Sequence, residues 1–153
     1  VAKAILDVNF FVNNQMLIDV GSTKGSQIGA AVVNRDGVVG QVYNVNANSS
    51  QVTLITNPEF KIYVEQSVTK SKMLAQGSGN GNIIVRYLDK NDKIQAGDIL
   101  ETTGLDDVYP ARIPVAKVVK VFYENNGFNS ALCVPVVDFH QLQYVLVLKY
   151  DSK

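Results

Sequence analysis

The chain has 153 residues, of which 46% are hydrophobic and 18% are charged, and its 14 Lys and Arg residues balance 14 Asp and Glu residues. This composition is typical of a folded globular protein and argues against intrinsic disorder. The absence of a basic excess argues against a nucleic-acid-binding protein.

Short apolar or alternating runs, separated by Gly, Asn, Asp and Ser, predict β-strands along the whole chain. They cover residues 2–8, 15–20, 30–34, 37–45, 50–56, 61–66, 71–77, 82–88, 98–103, 115–123, 131–137 and 144–150. Asp36-Gly37, Asn80-Gly81 and Asn126-Gly127 are dipeptides that favour hairpin turns. Residues 137–143 suggest a turn of helix. The pattern predicts an all-β chain with little helix.

A weak internal repeat refines this prediction. Residues 28–45 align with residues 96–121, so that Gly29 corresponds to Gly97 and Val42 to Val118. The second copy carries an insertion, "LDDVYPARIP", at residues 105–114. A chance alignment of Val-rich strands is the alternative, but two small β-barrels of related plan are the simplest explanation.

The domain prediction follows from this repeat. We expect residues 1–59 to form a first β-barrel and residues 60–139 to form a second, packed against the first and joined to it in tandem. A C-terminal strand within residues 140–153 is expected to return to the first barrel.

The sequence offers little support for catalysis. Cys133 is the only cysteine, so no intrachain disulfide or multi-cysteine metal site is possible, and its apolar neighbours predict a buried thiol. His140 is the only histidine, and no Gly-x-Ser-x-Gly elbow is present. We therefore predict no catalytic residue, no metal and no cofactor.

Three polar clusters resemble phosphate-binding or metal-binding loops only superficially. The glycines of residues 77–81 lead into a strand and not into the helix that a phosphate-binding loop requires. Asp106 and Asp107 are adjacent and project to different sides of the backbone, and residues 89–92 lack the glycine and glutamate of a calcium loop. We interpret all three clusters as solvated turns.

Two longer motifs resemble the family of the rod-shape-determining protein MreC. Residues 36–58, "DGVVGQVYNVNANSSQVTLITNP", and residues 97–118, "GDILETTGLDDVYPARIPVAKV", match its two conserved patterns in order and spacing, and residues 145–148 fit its closing strand. The resemblance thus covers nearly the whole chain. The motif residues that we expect to shape turns and strands are Gly37, Gly40, Ser49, Ser50, Gly97, Asp98 and Gly104.

The second motif departs from the family pattern. A Gly-Gly pair is replaced by Asp106-Asp107, a Phe by Tyr109, and two further glycines by Arg112 and Ala116. Because glycine alone adopts positive φ without cost, we expect these changes to affect the loop and any contact it makes.

The resemblance implies a non-enzymatic protein. Family members have a cytoplasmic tail, an inner-membrane helix, a coiled coil and a periplasmic core of two β-barrels, and this chain resembles the core. Because it does not begin with Met, we expect it to be a fragment. The family scaffolds the elongasome, which inserts side-wall peptidoglycan and maintains rod shape. The implied partners are penicillin-binding protein 2, a class B transpeptidase, with MreD, RodA and MreB, and the family self-associates.

Our leading hypothesis is a protein-interaction module that uses exposed apolar surface anchored by aromatic side chains. The candidate anchors are Phe60, Tyr63, Tyr87, Tyr109, Phe122, Tyr123 and Phe128. Each of them can instead be a core residue, since small barrels need large side chains inside. The alternatives are a divergent chymotrypsin-like hydrolase that uses Cys133 or a serine with His140, and a glycan-binding β-module.

Overall fold

The structure, a computed structural model, describes residues 1–5, 13–87, 94–123 and 129–148. In these residues the chain forms twelve β-strands: β1 (Ala2–Ile5), β2 (Gln15–Ile18), β3 (Ala31–Val33), β4 (Val38–Val45), β5 (Ser50–Leu54), β6 (Lys61–Gln66), β7 (Lys72–Gly77), β8 (Ile83–Tyr87), β9 (Ile99–Thr102), β10 (Pro114–Tyr123), β11 (Asn129–Pro135) and β12 (Tyr144–Val147). Single 3-10 turns lie at Ser22–Lys24 and Phe139–Gln141. The all-β prediction is confirmed. The Asn126-Gly127 turn, residues 89–92 and the predicted strand ends at 6–8, 88 and 149–150 lie outside the described residues.

The strands close into two six-stranded antiparallel barrels. The order around the first barrel is β1, β12, β3, β4, β5 and β2, and around the second it is β10, β11, β8, β7, β6 and β9. Because successive side chains of a strand point to opposite faces, every second residue lies inside. In β5, for example, Ser50, Val52 and Leu54 are buried and the residues between them are partly exposed. The division into domains at residue 59 stays a prediction.

Hydrogen bonds place the two copies of the repeat in equivalent positions. The Gly29 N–H donates to the Val42 carbonyl at 2.8 Å, and the Gly97 N–H donates to the Val118 carbonyl at 2.8 Å. Both glycines have a φ angle above +90°, at 92° and 94°. The pairing of β4 with β5 and that of β10 with β11 each shift register directly after these valines. This confirms the repeat: the two barrels share a plan.

The two barrels meet through direct backbone contact. Gly37, in the β3–β4 hairpin of the first barrel, lies so near the second barrel that a Cβ there would be 2.3 Å from the Pro114 carbonyl oxygen and 2.6 Å from Cγ2 of Val136. Distances of this size are far below van der Waals contact. Only glycine therefore permits the approach.

A second glycine contact lies where the chain passes between the barrels. A Cβ on Gly77, at the end of β7, would be 2.2 Å from the carbonyl oxygen of Asn57, in the segment that joins β5 to β6. Nearby, the Gly79 N–H donates to the Thr56 carbonyl at 2.9 Å, and the Asn14 side-chain amide donates to the Gly79 carbonyl at 3.2 Å. These bonds tie the β7–β8 hairpin of the second barrel to the first.

We expect Gly37→Ala to lower the free energy of unfolding by about 1–3 kcal/mol, because the added methyl group overpacks the junction. Denaturant unfolding followed by circular dichroism measures this change. Asp36→Ala, at the exposed neighbouring position, is the control and should stay within about 0.5 kcal/mol of the parent. Equal stability of the two variants would contradict the close contact.

Candidate functional site

Three of the predicted aromatic anchors are exposed and belong to the second barrel. Tyr63 lies on β6 with 62% of its surface exposed, and Phe122 and Tyr123 end β10 with 40% and 77% exposed. Phe128 lies outside the described residues, and so does the side chain of Tyr87. The backbone of Tyr87, at the end of β8, pairs with that of Asn129 on β11. Which of them meets a partner stays a prediction.

Two of the predicted anchors are core residues and not surface residues. Phe60 is 5% exposed and Tyr109 is 4% exposed, so neither side chain is available to a partner. Phe60 precedes β6 and packs in the hydrophobic core, and Tyr109 reaches the first barrel, where its hydroxyl donates to the Gly40 carbonyl at 3.4 Å. The candidate surface therefore excludes both residues.

Tyr63 and Phe122 lie on one continuous surface formed by β6, β7, β8, β11 and β10, which we call the outer face. Strand register defines two rows across it, since each residue is the direct partner of the next. The aromatic row is Tyr63, Leu74, Arg86, Ser130 and Phe122. The lysine row, two residues along each strand, is Lys61, Gln76, Ile84, Leu132 and Lys120. With strands about 4.8 Å apart, each row spans roughly 19 Å along the curved surface.

The centre of the outer face is aliphatic. Leu74, Ile84 and Leu132 are partly buried side chains that point away from the barrel core, and Val134, 36% exposed, continues the patch along β11. A contiguous apolar surface of this kind marks an interaction site more often than a chance exposure. The two exposed aromatic side chains stand at its opposite ends.

Cations lie within and around this aliphatic centre. Lys61, Arg86, Lys117 and Lys120 are all exposed, and neither row contains an acidic residue. The Lys120 Nζ lies 5.3 Å from the ring centroid of Phe122, within the range of a cation–π contact. The described residues of the two rows therefore carry a net positive charge, although the chain as a whole is neutral.

Two acidic residues lie on the described strands of the second barrel, and one of them, Glu65, has the same orientation on β6 as Lys61 and Tyr63. Glu65, on β6, is 8% exposed and has lysine 72 as its register partner on β7. Glu101, on β9, forms an ion pair with Lys70: its carboxylate lies 3.4 Å from the Lys70 Nζ. This is the ion pair found among the described residues. The positive charges of the two rows are not neutralised by this pair.

The inserted loop, residues 105–114, folds back on its own barrel. The Asp106 carboxylate accepts the N–H groups of Val108 and Tyr109 at 3.1 and 3.2 Å, and the Thr102 hydroxyl donates to the Pro110 carbonyl at 2.5 Å. These bonds aim Tyr109 at the first barrel. The loop thus makes a contact between barrels, which the sequence could not distinguish from a contact with a partner.

Two residues of the loop have a positive φ angle although they are not glycines. Asp107 has a φ angle of 60° and Arg112 one of 68°, both in the left-handed region that the family pattern fills with glycine. Non-glycine residues pay about 1–2 kcal/mol for this conformation. The loss of the two glycines therefore leaves backbone strain at Asp107 and Arg112.

The predicted motif serines tie loops to the mouth of the first barrel. The Ser50 hydroxyl donates to the Val20 carbonyl at 2.6 Å, so Ser26, whose hydroxyl lies 2.7 Å from that of Ser50, must donate to it. The Ser49 carbonyl accepts the Asn46 N–H at 2.8 Å and closes the β4–β5 hairpin. Their surroundings are those of structural hydroxyls.

The remaining motif residues shape turns and close contacts. A Cβ on Gly40 would lie 2.1 Å from a β5 carbonyl oxygen, and one on Gly104, whose φ is 77°, would lie 2.8 Å from the Ala111 Cβ. The Asp98 carboxylate accepts the Gln95 N–H at 2.9 Å beside the turn glycine at position 97.

The surroundings of Cys133 and His140 bear on the hydrolase alternative. Burial raises the pKa of the Cys133 thiol to about 12, so the thiolate required of a nucleophile is scarce at neutral pH. His140 lies in the 3-10 turn after β11, and its backbone N–H donates to the Asp138 carboxylate at 3.1 Å. These surroundings favour a structural interpretation of Cys133.

The sequence alone did not indicate Arg86, Leu74 or the lysine row. The one available signal was that both alternating faces of residues 83–88 and 118–123 carry apolar side chains, which requires a second covered face. Assembling the rows needs the register between strands that lie up to about sixty residues apart, and no local pattern supplies it.

The family model described as "Rod shape-determining protein MreC, barrel core" matches residues 8–149. The cell shape-determining protein MreC of Escherichia coli (strain K12) is 31% identical over 150 residues, which cover 97% of this chain and 41% of that protein. The MreC of Haemophilus influenzae is 28% identical over 150 residues, or 97% of this chain and 43% of that protein. The chain thus spans about two fifths of the length of these relatives.

Solved structures have the same fold. The crystal structure of MreC from Pseudomonas aeruginosa matches with a TM-score of 0.90 and 28% identity, over 97% of this chain and 98% of that one. The structure of the major periplasmic domain from the cell shape-determining filament MreC matches at 0.76 and 25%, over 94% and 90%. A chain of the complex between penicillin-binding protein 2 and MreC from Helicobacter pylori matches at 0.68 and 12%, over 86% and 83%, which shows the fold alone.

Tyr109 makes the stability of the chain depend on pH. Burial, and secondarily the nearby Asp106 carboxylate, raise the pKa of its hydroxyl above the usual value of about 10. The folded state therefore keeps the proton that the unfolded state loses, so this stabilisation is complete below about pH 10 and decreases above it, by up to about 1.4 kcal/mol per pH unit. Urea unfolding between about pH 9 and pH 11 should show a steeper loss for the parent than for Tyr109→Phe. Parallel curves would contradict this burial.

Proposed function

The chain belongs to the MreC family of rod shape-determining proteins, and we propose that it acts as a non-catalytic scaffold that binds penicillin-binding protein 2 through the outer face of the second barrel. In this role it would organise side-wall peptidoglycan synthesis within the elongasome and maintain rod shape. The observation that carries the proposal is the aliphatic patch that Tyr63 and Phe122 flank on one side of a closed barrel.

The choice of partner is supported by a relative. A structure with the same fold comes from a complex of penicillin-binding protein 2 with MreC from Helicobacter pylori. Interfaces of this kind are anchored by a few aromatic side chains in a desolvated centre. On this chain the exposed aromatics of the outer face provide such anchors, and Phe60 and Tyr109 do not.

The non-enzymatic role is supported by the surroundings of the two residues on which a chymotrypsin-like hydrolase would depend. Cys133 is buried with a raised thiol pKa. His140 stands on a surface turn. A glycan-binding module has no comparable support, since the exposed aromatics alternate with cations and aliphatic side chains.

The proposed location is the periplasm, with an inner-membrane anchor in the full-length protein. A solved relative is the major periplasmic domain of an MreC. Among the described residues, no helix has the length and hydropathy needed to cross a membrane. MreD, RodA and MreB are further proposed partners, as is a second copy of the chain, on the strength of the family alone.

We expect the double variant Tyr63→Asp and Phe122→Asp to weaken binding to the periplasmic region of penicillin-binding protein 2 by about 2 kcal/mol, or roughly 30-fold in Kd, because it removes both anchors. Surface plasmon resonance with that region immobilised measures the change. Tyr144→Asp is the matched control, since Tyr144 is a strand tyrosine of the first barrel with 60% exposure against 62% for Tyr63.

The control should bind like the parent protein. A double variant that keeps its melting temperature and its affinity would show that the partner binds elsewhere. If Tyr144→Asp alone weakened binding, the first barrel would replace the outer face as the binding surface.

A further inference from the structure

The position of Arg86 specifies the chemistry of whatever covers the outer face. Arg86 is the middle residue of the aromatic row, between Leu74 on β7 and Ser130 on β11. Its next neighbour along β8 on the same face is Ile84 of the lysine row. A partner that covers the aliphatic centre must therefore cover the guanidinium group as well.

A covered guanidinium group needs an acidic partner. Removing one charge from water without a counter-charge is costly enough to cancel the gain from the aliphatic contacts. A carboxylate can meet the guanidinium through two parallel hydrogen bonds and repay this cost. Neither described row contains an acidic residue, and Glu65, the next residue of β6 on this face, is 8% exposed and has Lys72 as its register partner.

The two lysines of the lysine row extend this requirement to the rim. Lys61 and Lys120 lie at its opposite ends, about 19 Å apart, beside Tyr63 and Phe122 respectively. Charges at a rim stay partly solvated, so they contribute to the rate and specificity of association more than to its affinity. Complementary charges on a partner would fix its orientation on the face.

A protein surface fits this arrangement better than a membrane or a nucleic acid. Lipid phosphates can pair with a guanidinium group, but a flat bilayer would contact only part of the two rows, which curve around a closed barrel. A nucleic acid would leave Leu74, Ile84 and Leu132 against phosphates, and the chain carries no net positive charge. An apolar patch with acidic groups at its centre and rim is a property of a folded protein surface.

We propose that the outer face binds an acidic, apolar-centred surface of penicillin-binding protein 2, with a carboxylate opposite Arg86 and further carboxylates opposite Lys61 and Lys120. This inference rests on the proposed function. It adds two points: binding depends on salt concentration, and the pairing of Arg86, on β8, with a carboxylate sets where the partner sits on the outer face.

The test compares charge variants of the chain against the immobilised periplasmic region of penicillin-binding protein 2 at about 0.05 M and about 0.5 M NaCl. We expect Arg86→Gln to weaken binding at least about tenfold at low salt and to flatten its salt dependence. Arg86→Lys should be intermediate, because it keeps the charge and loses the paired hydrogen bonds. Lys61→Gln and Lys120→Gln should each weaken binding about two- to fivefold.

Lys24→Gln is the matched control, since it removes one positive charge from an exposed 3-10 turn of the first barrel. It should change the Kd less than about twofold. Thermal melts of all variants should coincide with that of the parent, because these side chains face away from the core.

The possible failures are distinguishable. If Tyr63→Asp with Phe122→Asp weakens binding but Arg86→Gln binds like the parent at both salt concentrations, the acidic partner surface is wrong and the proposed function stands. If the parent does not bind at low salt, both are wrong. Arg86-dependent flotation with phosphatidylglycerol vesicles, or Arg86-dependent self-association in sedimentation velocity, without binding to penicillin-binding protein 2, would also overturn the inference.

Discussion

The carbonyl oxygen of Pro114 occupies the space in which a side chain at residue 37 would begin, and that of Asn57 does the same for residue 77. Glycine at these two positions lets the backbone of one element approach the carbonyl oxygen of the other directly. Tyr109 adds a third contact from the inserted loop to the Gly40 carbonyl. These contacts fix the position of the second barrel, and therefore of its outer face, relative to the first.

This arrangement separates two tasks within one neutral chain. The interior of each barrel is mainly apolar, and amide and hydroxyl groups at the junction bond to neighbouring carbonyls. The two rows of the outer face carry cations within and around an aliphatic centre. This arrangement adds nothing to the stability of the isolated chain. A surface of this kind is stabilised only when a partner supplies apolar contacts and opposite charges together.

The sequence was sufficient for the fold because the fold depends on local signals. Period-two alternation located the strands, and Gly29 and Gly97 marked the repeat because each stands two residues before a strand. The site was harder. A local pattern could not tell that Tyr63 points outward while Phe60 and Tyr109 point inward, since all three stand beside polar turns. The neighbours of Arg86 come from strands far apart in sequence, and only the closed barrel brings them into one row.

The central claim is that the outer face of the second barrel is the surface that meets penicillin-binding protein 2. Site-specific photo-cross-linking tests it most directly, with benzoylphenylalanine in place of Tyr63, of Phe122 or of Tyr144 in the full-length protein in cells. The account predicts cross-links to penicillin-binding protein 2 from the two second-barrel positions and none from Tyr144. Cross-links from the first-barrel position alone would contradict it.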